Sequence, residues 1–127
     1  MRFMMIVKAS PQSEAGIPPS PELVAAIGKV AEEARQAGIL LDAGGLLPSA
    51  LGARVHVSGG RVSVTDGPFA EAKELIGGYA VFELPSREAA IEQGRRFMEA
   101  HARVLGPEYE GELEIRQMFT GERCGEP

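Results

Sequence analysis

Asp66 is the residue whose type and position best suit acid/base chemistry. It ends the run Arg61-Val-Ser-Val-Thr-Asp66, in which Val62 and Val64 alternate with polar residues as in a half-buried strand. The alternation predicts that Asp66 lies on the same side as the valines, where a carboxylate must find hydrogen-bond donors or shift its pKa. A carboxyl group in such surroundings can titrate near neutrality and serve as a general acid or base.

The residues after Asp66 also permit a structural role for it. Gly67 and Pro68 predict a break in the strand, because proline cannot donate to a strand ladder and glycine tolerates unusual backbone angles. Asp66 could then cap a short helix after this break by accepting backbone N–H bonds. That role would lower its pKa instead of raising it, so the sequence leaves both alternatives open.

Glu71, Lys73 and Glu74 follow in a short polar segment with helical composition. They are candidates for binding a polar substrate or for orienting Asp66, and Lys73 would compensate the surrounding acidic charge. The alternative is a solvated face, since exposed ion pairs contribute only about 0–1 kcal/mol. The spacing of the carboxylates matches no familiar cation-binding loop, so we predict no metal site.

Three further residues are candidate substrate contacts. His56 could be a base near neutral pH, or an ordinary exposed histidine on a strand. Glu114 and Arg116 share one face of the predicted last strand, where they could clamp a substrate carboxylate or form an interface salt bridge. His101 is expected to pack against the sheet, and Cys124, without a nearby base, is not predicted to be a nucleophile.

Length and composition restrict the class of protein. The 127 residues predict a single domain spanning 1–127, and the net charge of −5 argues against nucleic acid and anionic membranes as partners. The single cysteine cannot form an intrachain disulfide, and neither a long apolar run nor a signal peptide is evident, so we expect a cytoplasmic protein. The paired glycines fit no nucleotide-binding motif, and no cofactor is predicted.

The hydrophobic pattern predicts an α+β fold. Gly59-Gly60 is typical of a two-residue hairpin turn, and Gly77-Gly78 is expected to end the short polar segment and start a strand. The predicted elements are a strand over 2–8, a loop over 9–19, a helix over 21–37, a strand from 39 toward 46, a loop ending at 52, hairpin strands over 54–58 and 61–65, a strand over 79–84, a helix after Ser86 that ends at Gly106, and a strand over 113–119.

This order predicts a ferredoxin-like antiparallel sheet with two helices on one face and an extra β-hairpin. The opposite face of the sheet would then be uncovered. A second copy of the sheet is the simplest cover, so we expect a homodimer with a pocket between the open face and the turn after Asp66.

The central stretch resembles a known family signature. Thr65-Asp-Gly-Pro-Phe69, Glu71, Lys73-Glu74 and Gly77-Gly78-Tyr79 are similar to the DGPF motif of the YCII-related proteins. The resemblance implies a dimeric α+β barrel, and the family has no settled reaction. Better-known members pair an aspartate with a histidine of the first helix. No histidine lies between residues 20 and 37 here, so Arg54 or His56 would have to stand in.

Two functions from different classes are consistent with the sequence. The first is a small homodimeric enzyme performing proton-transfer or lyase-type chemistry on a small polar molecule, with Asp66 as the acid/base and Lys73 and Arg116 assisting. The second is a non-catalytic ligand-binding or accessory module. A purely structural role for the motif is the third alternative.

Overall fold

The computed structural model describes residues 1–71 and 74–121. The elements are β1 (Arg2–Lys8), α1 (Pro11–Glu14), α2 (Pro21–Gln36), β2 (Leu40–Gly45), a 3-10 turn (Ser49–Leu51), β3 (Ala53–Ser58), β4 (Arg61–Asp66), β5 (Ile76–Glu83), α3 (Arg87–Leu105) and β6 (Leu113–Gln117).

The two long helices begin and end where local sequence signals predict. The hydroxyl of Ser20 accepts the backbone N–H of Leu23, and the hydroxyl of Ser86 accepts that of Ala89, which satisfies donors at each helix start. Gly106, with a φ of +82°, ends α3 in a conformation that favours glycine. Both predicted helices are therefore confirmed, to within a residue in α2.

Four strands form one antiparallel sheet in the order β2-β5-β1-β6. This is the ferredoxin-like arrangement that the alternation of strands and helices predicts. Phe3 and Met5 of β1 point to the helices and are almost fully buried with Ala34 of α2 and Ala90 of α3. Because alternate residues of a strand face opposite ways, Met4 and Ile6 lie on the other side.

We call that other side the open face, and no helix among residues 1–71 and 74–121 packs on it. Cross-strand partners share a face, so the pairs Met4–Val81 and Ile6–Tyr79 place four large side chains there. A single chain thus forms an open sheet, and closure into the predicted barrel would need a second copy.

The predicted hairpin is confirmed as β3 and β4, which pair with each other and form a separate two-stranded sheet. Gly59 and Gly60 have φ values of +57° and +77°, as a two-residue hairpin turn of this kind requires. The chain leaves the main sheet after β2 and returns at β5, and the N–H of Leu46 donates to the carbonyl of Gly77 at 2.9 Å where the two strands part.

Two local predictions are wrong. Residues 9–19 are not entirely a loop, because Ser10 and Ser13 cap each other's backbone N–H groups and start α1. The strand predicted over 79–84 begins earlier, at Ile76, so Gly77 and Gly78 lie inside β5 instead of before it. A Cβ on Gly78 would come within 3.0 Å of the carbonyl oxygen of Gly44, so close approach of neighbouring strands explains the glycine.

Candidate functional site

The turn made by residues 66–69, which we call the DGPF loop, is held against the 3-10 turn. The N–H of Gly67 donates to the carbonyl of Gly52 at 2.9 Å, and the N–H of Phe69 donates to the hydroxyl of Ser49 at 3.2 Å. A Cβ on Gly67 would collide with the carbonyl oxygen of Ser49. Glycine is therefore required at this position because two backbone segments touch.

Ser49 is itself fixed by Glu14, which lies 35 residues earlier in the chain. Its N–H donates to one carboxylate oxygen of Glu14 at 2.9 Å, and its hydroxyl donates to the other. The bond from the hydroxyl and then the bond from the N–H hold the pKa of Glu14 below its ordinary value of 4.5. Glu14 and Ser49 thus form a support for the DGPF loop, which the sequence analysis did not identify because no spacing pattern links them.

Arg54 fixes the loop from the hairpin side. Its guanidinium carbon lies 3.8 Å from the ring centroid of Phe69, and Nη1 lies 3.2 Å from a carboxylate oxygen of Glu71. A hydrogen bond from the backbone N–H of Glu71 itself and then the bond from Arg54 hold the pKa of Glu71 below 4.5. Glu71 is exposed, so this pair orients side chains more than it stabilises the fold.

Asp66 is the last residue of β4 and lies opposite Ala53 of β3. Its side chain is exposed in the single chain. Among residues 1–71 and 74–121, no hydrogen bond or ion pair engages its carboxylate, and the N–H of Phe69, which a capping aspartate could have accepted, donates to Ser49 instead. The described part of the loop therefore depends on Gly67 and Phe69 for its structure, and not on Asp66.

His56 does not join Asp66. It lies opposite Ser63, and the alternation along β3 places it with Arg54 on the polar face of the hairpin. Asp66 lies on the other face, with Val62 and Val64. The hairpin register therefore separates Asp66 from both residues that could have replaced the histidine of the first helix.

Glu114 and Arg116 pair with each other within one chain, and Arg116 is largely exposed. Arg116 Nη1 lies 3.1 Å from Glu114, and Lys8 Nζ lies 3.3 Å from the other oxygen of the same carboxylate. The bond from Arg116, followed by that from Lys8, holds the pKa of Glu114 below 4.5. Glu114 lies opposite Ile6, so this group of charges lies on the open face.

Tyr79 and Asp42 form a second polar pair on the open face, which the sequence analysis did not propose as a site. The Tyr79 hydroxyl donates to Asp42 Oδ2 at 3.2 Å, and its ring lies against Gly44. The hydrogen bond to Asp42, followed by the negative charge of that residue, raises the pKa of Tyr79 above 10.0. Only the register of β2 against β5, which brings residues 37 positions apart together, reveals this pair.

Two predicted site residues remain, Glu74 and Lys73. Glu74 is exposed, and its N–H donates to the carbonyl of Glu71 at 2.9 Å. Lys73 lies outside the described residues, as does Cys124. His101 is buried as predicted, but its ring packs between Phe97 and Tyr109.

A groove of about 460 Å³ lies between α3 and the edge strand β6. Arg116 is the one predicted site residue that contributes to it, so this groove is not the expected pocket at Asp66. Its walls are formed by Phe3, Arg87, Ile91, Leu113, Ile115, Arg116 and Gln117.

Comparison with known proteins agrees with the fold and the loop. The profile of the YCII-related domain matches residues 1–105. The chain belongs to this family. The matched region of the YCII-related domain includes the open face through β5, the hairpin, the DGPF loop and α3, and ends before β6. A search of the curated proteins found no match.

In the described part of the chain, no group of three or more His, Cys, Asp or Glu side chains is placed to bind a metal ion. Within the same ranges, every helix falls short of the length or apolar character that a membrane span demands.

Proposed function

We propose that this YCII-related domain works as a homodimer that binds a small polar molecule beside Asp66 and uses the Asp66 carboxylate as a general acid or base. The observation that carries the proposal is that different residues of the DGPF loop have different roles. Gly67 and Phe69 fix the loop on Ser49, whereas the Asp66 carboxylate has no partner within the described residues. A rigid turn that presents an uncommitted carboxylate provides the positioning that proton transfer requires.

The open face supports the dimer. Met4, Ile6, Tyr79 and Val81 form an apolar strip across the two central strands, and each is only half-buried in a single chain. A contiguous apolar surface of this kind is typical of an interface. Two copies packed through their open faces would produce the predicted barrel and would enclose the Tyr79–Asp42 and Lys8–Glu114–Arg116 groups.

A non-catalytic ligand-binding module is the second candidate, and one observation favours it. Four charged side chains are already paired in the single chain, Arg54 with Glu71 and Arg116 with Glu114. Groups that are paired in advance can select a polar ligand by rearranging their hydrogen bonds, without any proton transfer.

A thermal-shift screen with a panel of small carboxylates, amines and hydroxy acids, followed by product analysis of every hit, separates the two. The Asp66→Asn variant is expected to keep the thermal midpoint of the parent within about 1 °C and to lose turnover or the ligand-induced shift. Glu108→Gln, which removes another exposed carboxylate, is the control. Binding without product would favour the module, and a strongly destabilised Asp66→Asn variant that still responds to ligand would reject the role of Asp66.

The dimer is tested separately by sedimentation. Val81→Lys places a charge in the centre of the open face and is expected to convert the dimer to a monomer. Val24→Lys, on an exposed position of α2, should leave the mass unchanged. A parent protein that sediments as a monomer at high concentration would contradict the homodimer.

A further inference from the structure

The hairpin carries a second uncovered apolar face. Val55 lies opposite Val64, and Val57 lies opposite Val62, so four valines form one continuous surface, which we call the valine face. Each of them is 64–68% exposed. Adjacent β-branched residues on a two-stranded ribbon gain little by local pairing alone, and a surface of this composition normally packs against something.

The chain's own contacts turn the valine face outward. Arg54, on the opposite face of the hairpin, is the residue that contacts Phe69 and Glu71. The polar face of the hairpin is therefore turned to its own DGPF loop. The hydrogen bond from the N–H of Gly67 to the carbonyl of Gly52 fixes the base of the hairpin in this orientation.

We propose that the valine face packs on a second copy of this chain and that this contact closes the site around Asp66. The inference rests on the proposed homodimer and extends it, since the functional site is then incomplete in one chain. Asp66 continues the row of Val62 and Val64 on β4, so whatever covers the valines also covers the approach to its carboxylate.

The area argues for a second copy as the occupant. Four valines about two-thirds exposed present on the order of 400 Å² of apolar surface, which is in the range of functional patches. A stable interface takes about 800 Å² from each partner. The valine face supplies about half of that area. The open face adds further apolar surface in the same chain, so a two-fold pair of chains would cover both faces on both copies.

The charge of the valine face disfavours a membrane. Surfaces that lie on anionic lipid combine apolar residues with Lys or Arg. The valine face carries no basic residue, and the charged residue in line with it is Asp66.

Cysteine accessibility in the full-length chain, with Cys124→Ser as background, tests the contact without any ligand. Val62→Cys reports on the valine face, and Ser63→Cys, the next residue on the polar face, is the matched control. Maleimide rates are referenced to the rate of each variant in denaturant. Val62→Cys is expected to react at least tenfold more slowly than Ser63→Cys in concentrated protein, and this protection should disappear on dilution.

Equal rates for the two variants at every concentration would overturn the proposal. Protection that persists in protein shown by sedimentation to be monomeric would also overturn it, because the cover would then come from the same chain. A Val57→Lys, Val62→Lys double variant gives an independent measure and is expected to weaken self-association at least tenfold. His56→Lys with Ser63→Lys should leave it unchanged.

The outcome is distinguishable from failure of the proposed function. The labelling rates and the association constant are measured without ligand. A protected valine face in a protein that responds to no small molecule would therefore support this inference and contradict the acid/base role. Circular dichroism of each variant confirms that the fold is retained.

Discussion

The carboxylate of Glu14 accepts two hydrogen bonds from a single residue, Ser49, one from its N–H and one from its hydroxyl. The same hydroxyl accepts the N–H of Phe69. Hydrogen bonds between Glu14, Ser49 and Phe69 thereby connect α1 through the 3-10 turn to the DGPF loop. The position of the candidate site therefore depends on the charge of Glu14.

The stability of the protein should therefore depend on pH through Glu14. Its pKa is lowered in the folded state, so the contribution of the charged form is present above about 4.5 and is lost as the pH falls through the lower, folded-state pKa. Glu14→Gln should lower the thermal midpoint at pH 7 relative to the parent, and the difference should shrink toward zero in acid. Midpoints measured from pH 3 to 7 check this, and a difference independent of pH would contradict it.

Gly67→Ala is expected to destabilise the fold by at least about 2 kcal/mol, because the new methyl group meets the backbone carbonyl of Ser49 and the DGPF loop must move. Gly52→Ala is the control. A Cβ at Gly52 would lie 3.5 Å from the same oxygen, which is an ordinary contact. Urea unfolding of both variants gives the comparison, and equal stability of the two would show that the close approach does not constrain the loop.

Asp42→Asn should lower the pKa of Tyr79 toward 10.0, because the hydrogen bond and the negative charge that raise it are both weakened. The tyrosinate absorbance at 295 nm measures this titration. Tyr109, whose pKa is raised by burial, is the other tyrosine of the chain, so the experiment uses a Tyr109→Phe background. An unchanged titration would mean that the two side chains are not bonded in solution.

Gly94→Val should cost about 1–3 kcal/mol, because α3 packs so closely on β6 that a Cβ at Gly94 would already lie 3.1 Å from Ile115 and 3.2 Å from Leu113. Gly28→Ala on α2 meets no atom within 4 Å and should instead stabilise the protein by about 0.5–1 kcal/mol. Denaturant midpoints of the two variants are expected to move in opposite directions from the parent.

The sequence predicts correctly those features that depend on contacts between residues close together in the chain. Helix ends are fixed by Ser20, Ser86 and Gly106 through bonds to residues within one turn. The hairpin turn is permitted by the adjacent glycines Gly59 and Gly60. Alternation also predicts correctly that Asp66 shares a face with Val62 and Val64.

The site is less predictable because its contacts join distant segments. Glu14 and Ser49 are 35 residues apart, and the contact of Arg54 with Phe69 depends on how the DGPF loop folds back on the hairpin. The early start of β5, at Ile76, is hard to predict for a related reason. Glycine permits a turn, but here it provides room for a neighbouring strand, and a single sequence contains no information on that neighbour.

The hairpin leaves and rejoins the sheet between two strands that are hydrogen-bonded to each other, at Leu46 and Gly77. The segment from the 3-10 turn to the DGPF loop is therefore an insertion between β2 and β5. Its length and surface can change without altering the register of the four-stranded sheet. Related chains can keep one sheet and still differ in ligand or partner, because the sheet and the recognition elements occupy separable stretches of sequence.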